Sequence, residues 1–364
     1  MNIILLEPYF TGSHQSWAEG YKKYSRHNIF IMSLPGRFWK WRMHGGAVTF
    51  AHKFNKLKKS FDLILATDML DLTTFLSLTR SSTSYIPTAI YFHENQLSYP
   101  WSPDDRDIIE KRDKHYGFIN YASALTADHC FFNSDYHRLS FLSELPKLLK
   151  HFPDFNEIDS IQKIELKSSV LHLGIDLKRF DKYKTDKNTI PTVVWNHRWE
   201  YDKNPDEFFK LLNKMNDCNI DFKAVILGEN FSKSPSVLRN NINKLGPRII
   251  HSGFVNSFQE YAKWLWKSSI VPVTNLQDFF GASIIEAVYC NCIPILPNRL
   301  SYPELFPPEV FYKNEKDLYN KTKTLSTNNK QRNAMHYRNI VSKYDWSIMA
   351  QKYDVEMEKI KIGI

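Results

Sequence analysis

Asp278-Phe279-Phe280-Gly281-Ala282-Ser283-Ile284-Ile285-Glu286 lies between two short apolar runs, Ile270–Val273 and Ile293–Leu296. The runs have the length and composition of buried strands. Between them Gly281 can open a helix that Ser283 to Tyr289 continues. Strand, loop, helix, strand is the repeating unit of a parallel sheet. In such units the free amides of a helix start suit a phosphate, and ligands collect at the carboxyl ends of the strands. Asp278 falls in the loop before the helix, and Glu286 lies about one to two turns inside it. Two carboxylates so placed can hold sugar hydroxyls on either side of a phosphate. They fit equally a capping carboxylate and a solvated glutamate.

The same alternation extends along the chain in both directions. Ile3–Leu6, Ile29–Ser33, Leu63–Ala66, Thr88–Phe92 and Cys130–Phe132 read as strands separated by helical segments. A polar stretch from Lys178 to Thr189 follows, read as the join between domains. Then Thr192–Trp195, Phe222–Leu227 and Ile249–Ser252 lead into the two runs already named. The expectation is an α/β chain of two doubly wound Rossmann-like domains, 1–178 and 179–345, facing across a cleft. A last amphipathic stretch, Trp346 to Ile360, is expected to be a helix.

Composition bounds the function. The 364 residues include 43% hydrophobic and 24% charged, enough for a large core without disulfide or metal staples. Of the four cysteines only Cys290 and Cys292 are close, at a spacing that fits neither a zinc ligand pair nor a redox motif, so buried thiols are expected. The net charge of +9 favours polyanionic partners, and serves solubility equally well. The apolar run at the N-terminus stops at Glu7 and has no basic start, and no stretch reaches membrane-spanning length. A cytosolic protein without a membrane partner is expected.

Four further segments can carry chemistry. Trp195-Asn196-His197-Arg198-Trp199-Glu200-Tyr201-Asp202-Lys203 follows a strand, so Arg198 and Lys203 can neutralise a diphosphate, or simply pair with Glu200 and Asp202. The loop Pro8-Tyr9-Phe10-Thr11-Gly12-Ser13-His14 can bring amides to a phosphate, or be a plain turn capped by Ser13. His93-Glu94-Asn95-Gln96 ends a strand, where His93 can meet a substrate and Glu94 and Asn95 an acceptor. In Arg37-Phe38-Trp39-Lys40-Trp41-Arg42, cations alternate with aromatics. Trp39, Trp41 and Arg42 can therefore stack on bases and pair with phosphates, or the tryptophans can anchor the loop to the core.

Taken together these residues resemble a known pattern. Arg198-x4-Lys203 with Asp278-x7-Glu286 resembles the donor-site signature of the retaining GT-B glycosyltransferases of family 4. Leu173-Gly174-Ile175-Asp176 through Phe180 is similar to the junction those enzymes carry between domains. A narrower likeness covers nearly the whole chain. Gly12-Ser13-His14, Trp39-Lys40-Trp41-Arg42, Tyr91-Phe92-His93-Glu94-Asn95-Gln96-Leu97, Phe132-Asn133-Ser134, His197-Arg198-Trp199-Glu200 and Glu286-Ala287-Val288-Tyr289-Cys290 resemble the tRNA-queuosine alpha-mannosyltransferase family.

The resemblance implies a GT-B fold whose C-terminal helix, 346–364, crosses back to the first domain. It implies GDP-mannose as donor, queuosine in the anticodon of a tRNA-Asp as acceptor, and retention at the anomeric carbon. By motif, Arg198 and Lys203 would bind the donor diphosphate, with the loop of Gly12 and Ser13 closing on it. Asp278 would bind sugar hydroxyls, with the amides of Phe279, Phe280 and Gly281 near sugar and phosphate. Glu286 would hold the ribose, Gly228-Glu229 and Gly253-Phe254 would lie near the nucleoside, and His93 near the sugar 6-hydroxyl. Asp278 stands where most family 4 members have Glu, drawing that carboxylate back by roughly 1.5 Å. The Asp-x-Asp donor-metal motif of the other glycosyltransferase fold is not read in the chain, so neither metal nor cofactor is expected. The alternatives are a glycosyltransferase for a lipid acceptor, using the helix around Trp264 and Trp266 at a membrane, and a non-catalytic tRNA-binding protein.

Overall fold

The computed structural model describes residues 1–101, 105, 107, 115–228, 236–328 and 334–363. The chain divides into two compact units, Met1–Ile175 with Trp346–Ile364, and Asp176–Asp345.

The first unit is built on six strands: β1 Asn2–Phe10, β2 Asn28–Pro35, β3 Leu63–Thr67, β4 Thr88–Phe92, β5 His129–Phe132 and β6 Ser168–Val170. They run parallel in the order β2-β1-β3-β4-β5-β6. β3 and β4 are buried along their whole length, as strands covered on both faces must be. One layer of the core joins Ile4, Leu6, Ile64, Ile90 and Phe132 to Phe50 and Phe75 of the covering helices. β6 escapes a reading by apolar runs because it is three residues long and starts with two serines.

The helix Trp346–Ile362 belongs to this unit. It lies on the helix Gly12–Tyr24, where a Cβ at Gly20 would stand 2.0 Å from the Trp346 indole nitrogen. Trp17 donates to the Tyr353 hydroxyl at 3.0 Å, and Tyr21 to Asp354 at 3.1 Å. Gly174 also abuts the Trp346 ring, at 2.4 Å for an added Cβ, which accounts for a glycine in the junction motif. The Trp346 amide donates to the Ile175 carbonyl at 2.9 Å.

The second unit repeats the scheme with β7 Thr192–Asn196, β8 Lys223–Leu227, β9 Ile249–Gly253, β10 Ile270–Pro272, β11 Ile293–Pro297 and β12 Phe311–Tyr312. These strands are parallel in the order β12-β11-β10-β7-β8-β9. The polar stretch after Lys178 is not all loop: Leu177–Tyr183 forms a 3-10 helix. Phe180 supplies its anchor, buried against Phe258 at 4.7 Å between ring centres, while the surrounding Lys and Asp keep to the surface. No helix among the described residues is long and apolar enough to cross a membrane.

Candidate active site

In the second unit the loops after β7 and β10 are laced together. The Thr274 hydroxyl donates to the carbonyls of Lys203 and Asn204, and the Leu276 amide to that of Asp202. Asn204 takes a left-handed conformation (φ 50°), and Pro205 then starts a helix. This geometry delivers Lys203 to Asp278. Its Nζ lies 3.1 Å from buried Asp202 and 3.7 Å from Asp278, and donates to the Gln277 carbonyl at 2.8 Å. Asp278 Oδ2 accepts from Asn275 at 2.9 Å and Tyr302 at 3.0 Å. Arg198 is the more exposed cation, 55% accessible and 3.4 Å from Glu200.

Gly281 caps the helix Ala282–Tyr289 at φ 85°, a backbone that favours glycine, and no side chain caps this end. Its amide end is therefore available to an anion. Phe279 and Phe280, which precede it, are buried. Asn196 fixes the helix start from β7 by donating to the Ser283 carbonyl at 2.6 Å. His197 Nδ1 meets the Ser283 hydroxyl at 3.1 Å. Burial, and then Lys203, push this imidazole down to about 3, so it stays neutral. Glu286 accepts a 2.6 Å bond from Tyr261, and burial raises its carboxyl to about 7 despite that bond. Gly228, at φ 127°, passes so close to the His197 carbonyl that an added Cβ would stand 2.0 Å from it. Gly253 is left-handed too (φ 125°), and Phe254 beside it is 63% exposed. Glu229 lies outside the described residues.

The first unit gathers a different set at the carboxyl ends of its strands. Glu7, wholly buried in β1 where its regular pairing with β2 breaks off, accepts from the Tyr9 amide at 2.8 Å and contacts His14 Nδ1 at 3.0 Å. Burial works against charge on His14, but the Glu7 carboxylate outweighs it and holds the imidazolium up to about 9. The His14 ring lies 4.2 Å from that of His93, which also packs edge-on to Trp17 at 4.7 Å. Burial and the neighbouring His14 keep His93 neutral, well below the usual histidine range. Its backbone amide is bound by Asp68 at 2.8 Å, while its Nε2 is buried without a partner. Burial raises Asp68 above the usual carboxylate range. Ligand atoms of Glu7, His14 and His93 lie within 4.8 Å of one another. Of the three, Glu7 and His14 are paired with each other.

Several sequence readings change here. Thr11, not Ser13, is the residue before the helix that starts at Gly12 (φ 51°). Asn95 is wholly buried, its carbonyl oxygen accepting from the amides of Leu97 and Ser98, which makes it the hub of this turn. Glu94 accepts from Gln96 at 2.9 Å. Trp39 is tucked among Met43, Trp101 and Tyr116, whereas Trp41 is 63% exposed and Arg42 donates to the Pro35 carbonyl at 3.1 Å. An Asp-x-Asp spacing does occur away from the donor segments, at Asp105 and Asp107, and Lys40 binds both carboxylates at 2.6 Å. Trp266 is buried and donates to the Phe180 carbonyl, and Trp264 packs on His251, so this helix does not present its tryptophans as a membrane face.

Tyr261 and Tyr302 were not singled out from sequence, and Glu7 and His14 were quoted there without a role. For Glu7 and His14 a signal existed: a carboxylate closing an apolar run, with a histidine seven positions on. The tyrosines lie far from their carboxylates in sequence, and only folding pairs them.

Residues 2–175 match the family model described as tRNA-queuosine alpha-mannosyltransferase N-terminal, and residues 177–340 match that of glycosyl transferases group 1. The tRNA-queuosine alpha-mannosyltransferase of Drosophila melanogaster is 33% identical over 334 residues, covering 88% of this chain and 86% of that protein. Among solved structures, HepE of Anabaena in complex with UDP and glucose is similar with a TM-score of 0.70 at 15% identity, over 99% of this chain and 100% of that one. Sucrose-phosphate synthase of Thermosynechococcus elongatus gives 0.70 at 11% identity, over 100% of both chains. At such identities the structures speak for the fold alone, which is GT-B. The chain is a glycosyltransferase and belongs to the tRNA-queuosine alpha-mannosyltransferase family.

Proposed function

We propose that the protein moves mannose from GDP-mannose to a hydroxyl of queuosine in the anticodon of a tRNA-Asp, with retention, without a metal ion, in the cytoplasm. The family supports the sugar and the acceptor. The observation that carries the chemistry is the Lys203 ammonium, set 3.7 Å from Asp278 beside the uncapped helix start at Gly281. A diphosphate needs positive groups and amides, and a sugar needs an acceptor of hydroxyl bonds. Both meet where the loop after β7 is bonded to the loop after β10.

In this reading the second unit binds the donor. Lys203, Arg198 and the helix amides take the diphosphate, Asp278 takes sugar hydroxyls, and Glu286 takes the ribose. The bond from the anomeric carbon to the phosphate oxygen stretches first, and its electron pair leaves with GDP. The cations stabilise this growing charge more in the transition state than before it. The queuosine oxygen bonds to the same face of the anomeric carbon, and its proton passes to the departing phosphate oxygen. His93, neutral and with Nε2 unpartnered, can bond a sugar hydroxyl. Asp278 in place of the longer Glu bears on sugar choice.

The test incubates queuosine-containing tRNA with a panel of nucleotide sugars, digests it and weighs the nucleosides. A hexose increment on queuosine, with GDP-mannose only, is expected. No increment with any donor rejects the acceptor, and a better donor than GDP-mannose rejects the sugar. Loss of transfer in EDTA, restored by a divalent ion, rejects metal independence.

A further inference from the structure

The first turn of the helix Trp39–Phe54 carries two exposed rings that the reaction as described does not use. Phe38 is 71% exposed and Trp41 63%. Large apolar side chains left in water singly need no explanation, but two at one helix start do. Phe38 precedes the helix with φ 56°, a left-handed conformation that a bulky residue adopts only at an energetic cost. Trp41 is equally constrained. Its ring rests on Gly45, where an added Cβ would stand 2.6 Å away. The two rings lie three residues apart in sequence, one just before the helix and one in its first turn.

Cations flank them, and Lys40 between them is held by Asp105 and Asp107. Arg37 lies 5.8 Å from the Phe38 ring, and Arg42 is oriented by its bond to the Pro35 carbonyl. Neither arginine has a carboxylate partner among the described residues. The helix start has no acidic residue and no capping side chain, so its dipole adds to the positive field. Gly36 packs against Thr11, at 2.2 Å from an added Cβ to Cγ2, so the platform adjoins the loop that leads to His14.

We propose that Phe38 and Trp41, flanked by Arg37 and Arg42, form a stacking platform for unpaired bases of an RNA loop. The proposal deepens the RNA acceptor reading above and rests on it. Paired RNA hides its base faces, whereas a loop offers them to aromatic rings with phosphates on either side for arginine. Trp39, turned inward, takes no part.

The test is an anisotropy titration of the full-length protein with an RNA hairpin, and with the same hairpin made abasic in its loop. Phe38→Ala and Trp41→Ala should each weaken hairpin binding by ~10-fold. Phe38→Trp and Trp41→Phe should restore it to within about threefold, because the ring rather than its identity is needed. The abasic hairpin should bind the parent as weakly as the normal one binds the alanine variants. Thermal melting and GDP-mannose binding should be unchanged in all four variants. Alanine variants that bind the hairpin like the parent, or a parent indifferent to abasic loops, overturn the platform while leaving the acceptor reading intact if queuosine tRNA is still modified. A parent that neither binds nor modifies RNA overturns both. Loss of binding to anionic lipid vesicles, with hairpin binding unchanged, would reassign the rings to a membrane.

Discussion

The two units place polar groups at the same end of similar sheets and yet arrange them in opposite ways. In the first, Glu7 and His14 are sealed from water and satisfy each other. In the second, Arg198 is half exposed at 3.4 Å from Glu200, and Lys203 reaches from buried Asp202 toward Asp278 at 3.7 Å. A sealed pair is a fixed part of the structure, costly to disturb. A loosely paired cation can exchange its carboxylate for a phosphate at small cost. The contrast separates groups that hold shape from groups that meet a charged ligand.

The sharpest way to break this contrast is to remove the cations. Arg198→Ala should lower kcat/KM by about 10²–10³ with an unchanged melting temperature, because the side chain is half exposed. Lys203→Ala should lose activity by a similar factor, and should also melt earlier because it stood beside buried Asp202. An unaltered rate in either variant removes that residue from the donor site.

Next in size is a difference in pH dependence. His14 titrates at about 9 in the fold against an ordinary 6.5, so its stabilisation is complete below pH 6.5 and disappears as pH rises through 9. The amount is of order 3 kcal/mol, from the shift and the value of one pKa unit. Glu286, raised from 4.5 to about 7, acts in a lower window: its contribution is complete below pH 4.5 and is lost by about pH 7. Melting temperature against pH should therefore fall in two limbs. Glu7→Gln should flatten the upper limb and Glu286→Gln the lower one. A single variant that flattens both would mean the two sites are not separate.

The smallest effect concerns Tyr261. Tyr261→Phe removes one hydrogen bond to Glu286 and lets its carboxyl rise further. Donor KM should increase about fivefold, near 1 kcal/mol, with kcat little changed. A loss in kcat instead would place Tyr261 in the chemical step.

How much of this was legible in sequence depends on range. The fold class was legible because short apolar runs such as Leu63–Ala66 and Thr88–Phe92 alternate with helical segments along the chain, and both runs fold as buried strands. β12, with two residues, was too short to leave such a run. In the donor segment the neighbours of Gly281 are local, so Asp278 and the helix start could be read together. Tyr302 and Tyr261 are brought to Asp278 and Glu286 across 24 and 25 residues. Trp39 and Trp41 look alike in sequence, and only packing decides that one turns inward.

The path of the chain has a consequence for how the protein is made. The second unit begins and ends side by side, with the Lys178 amide on the Asp345 carboxylate at 3.0 Å, and is spliced into the first between Ile175 and Trp346. A ribosome therefore finishes the second unit while the first still lacks the helix bearing Trp346 and Tyr353. The inserted unit can mature early as a self-contained cassette, and its host closes only when the last segment emerges.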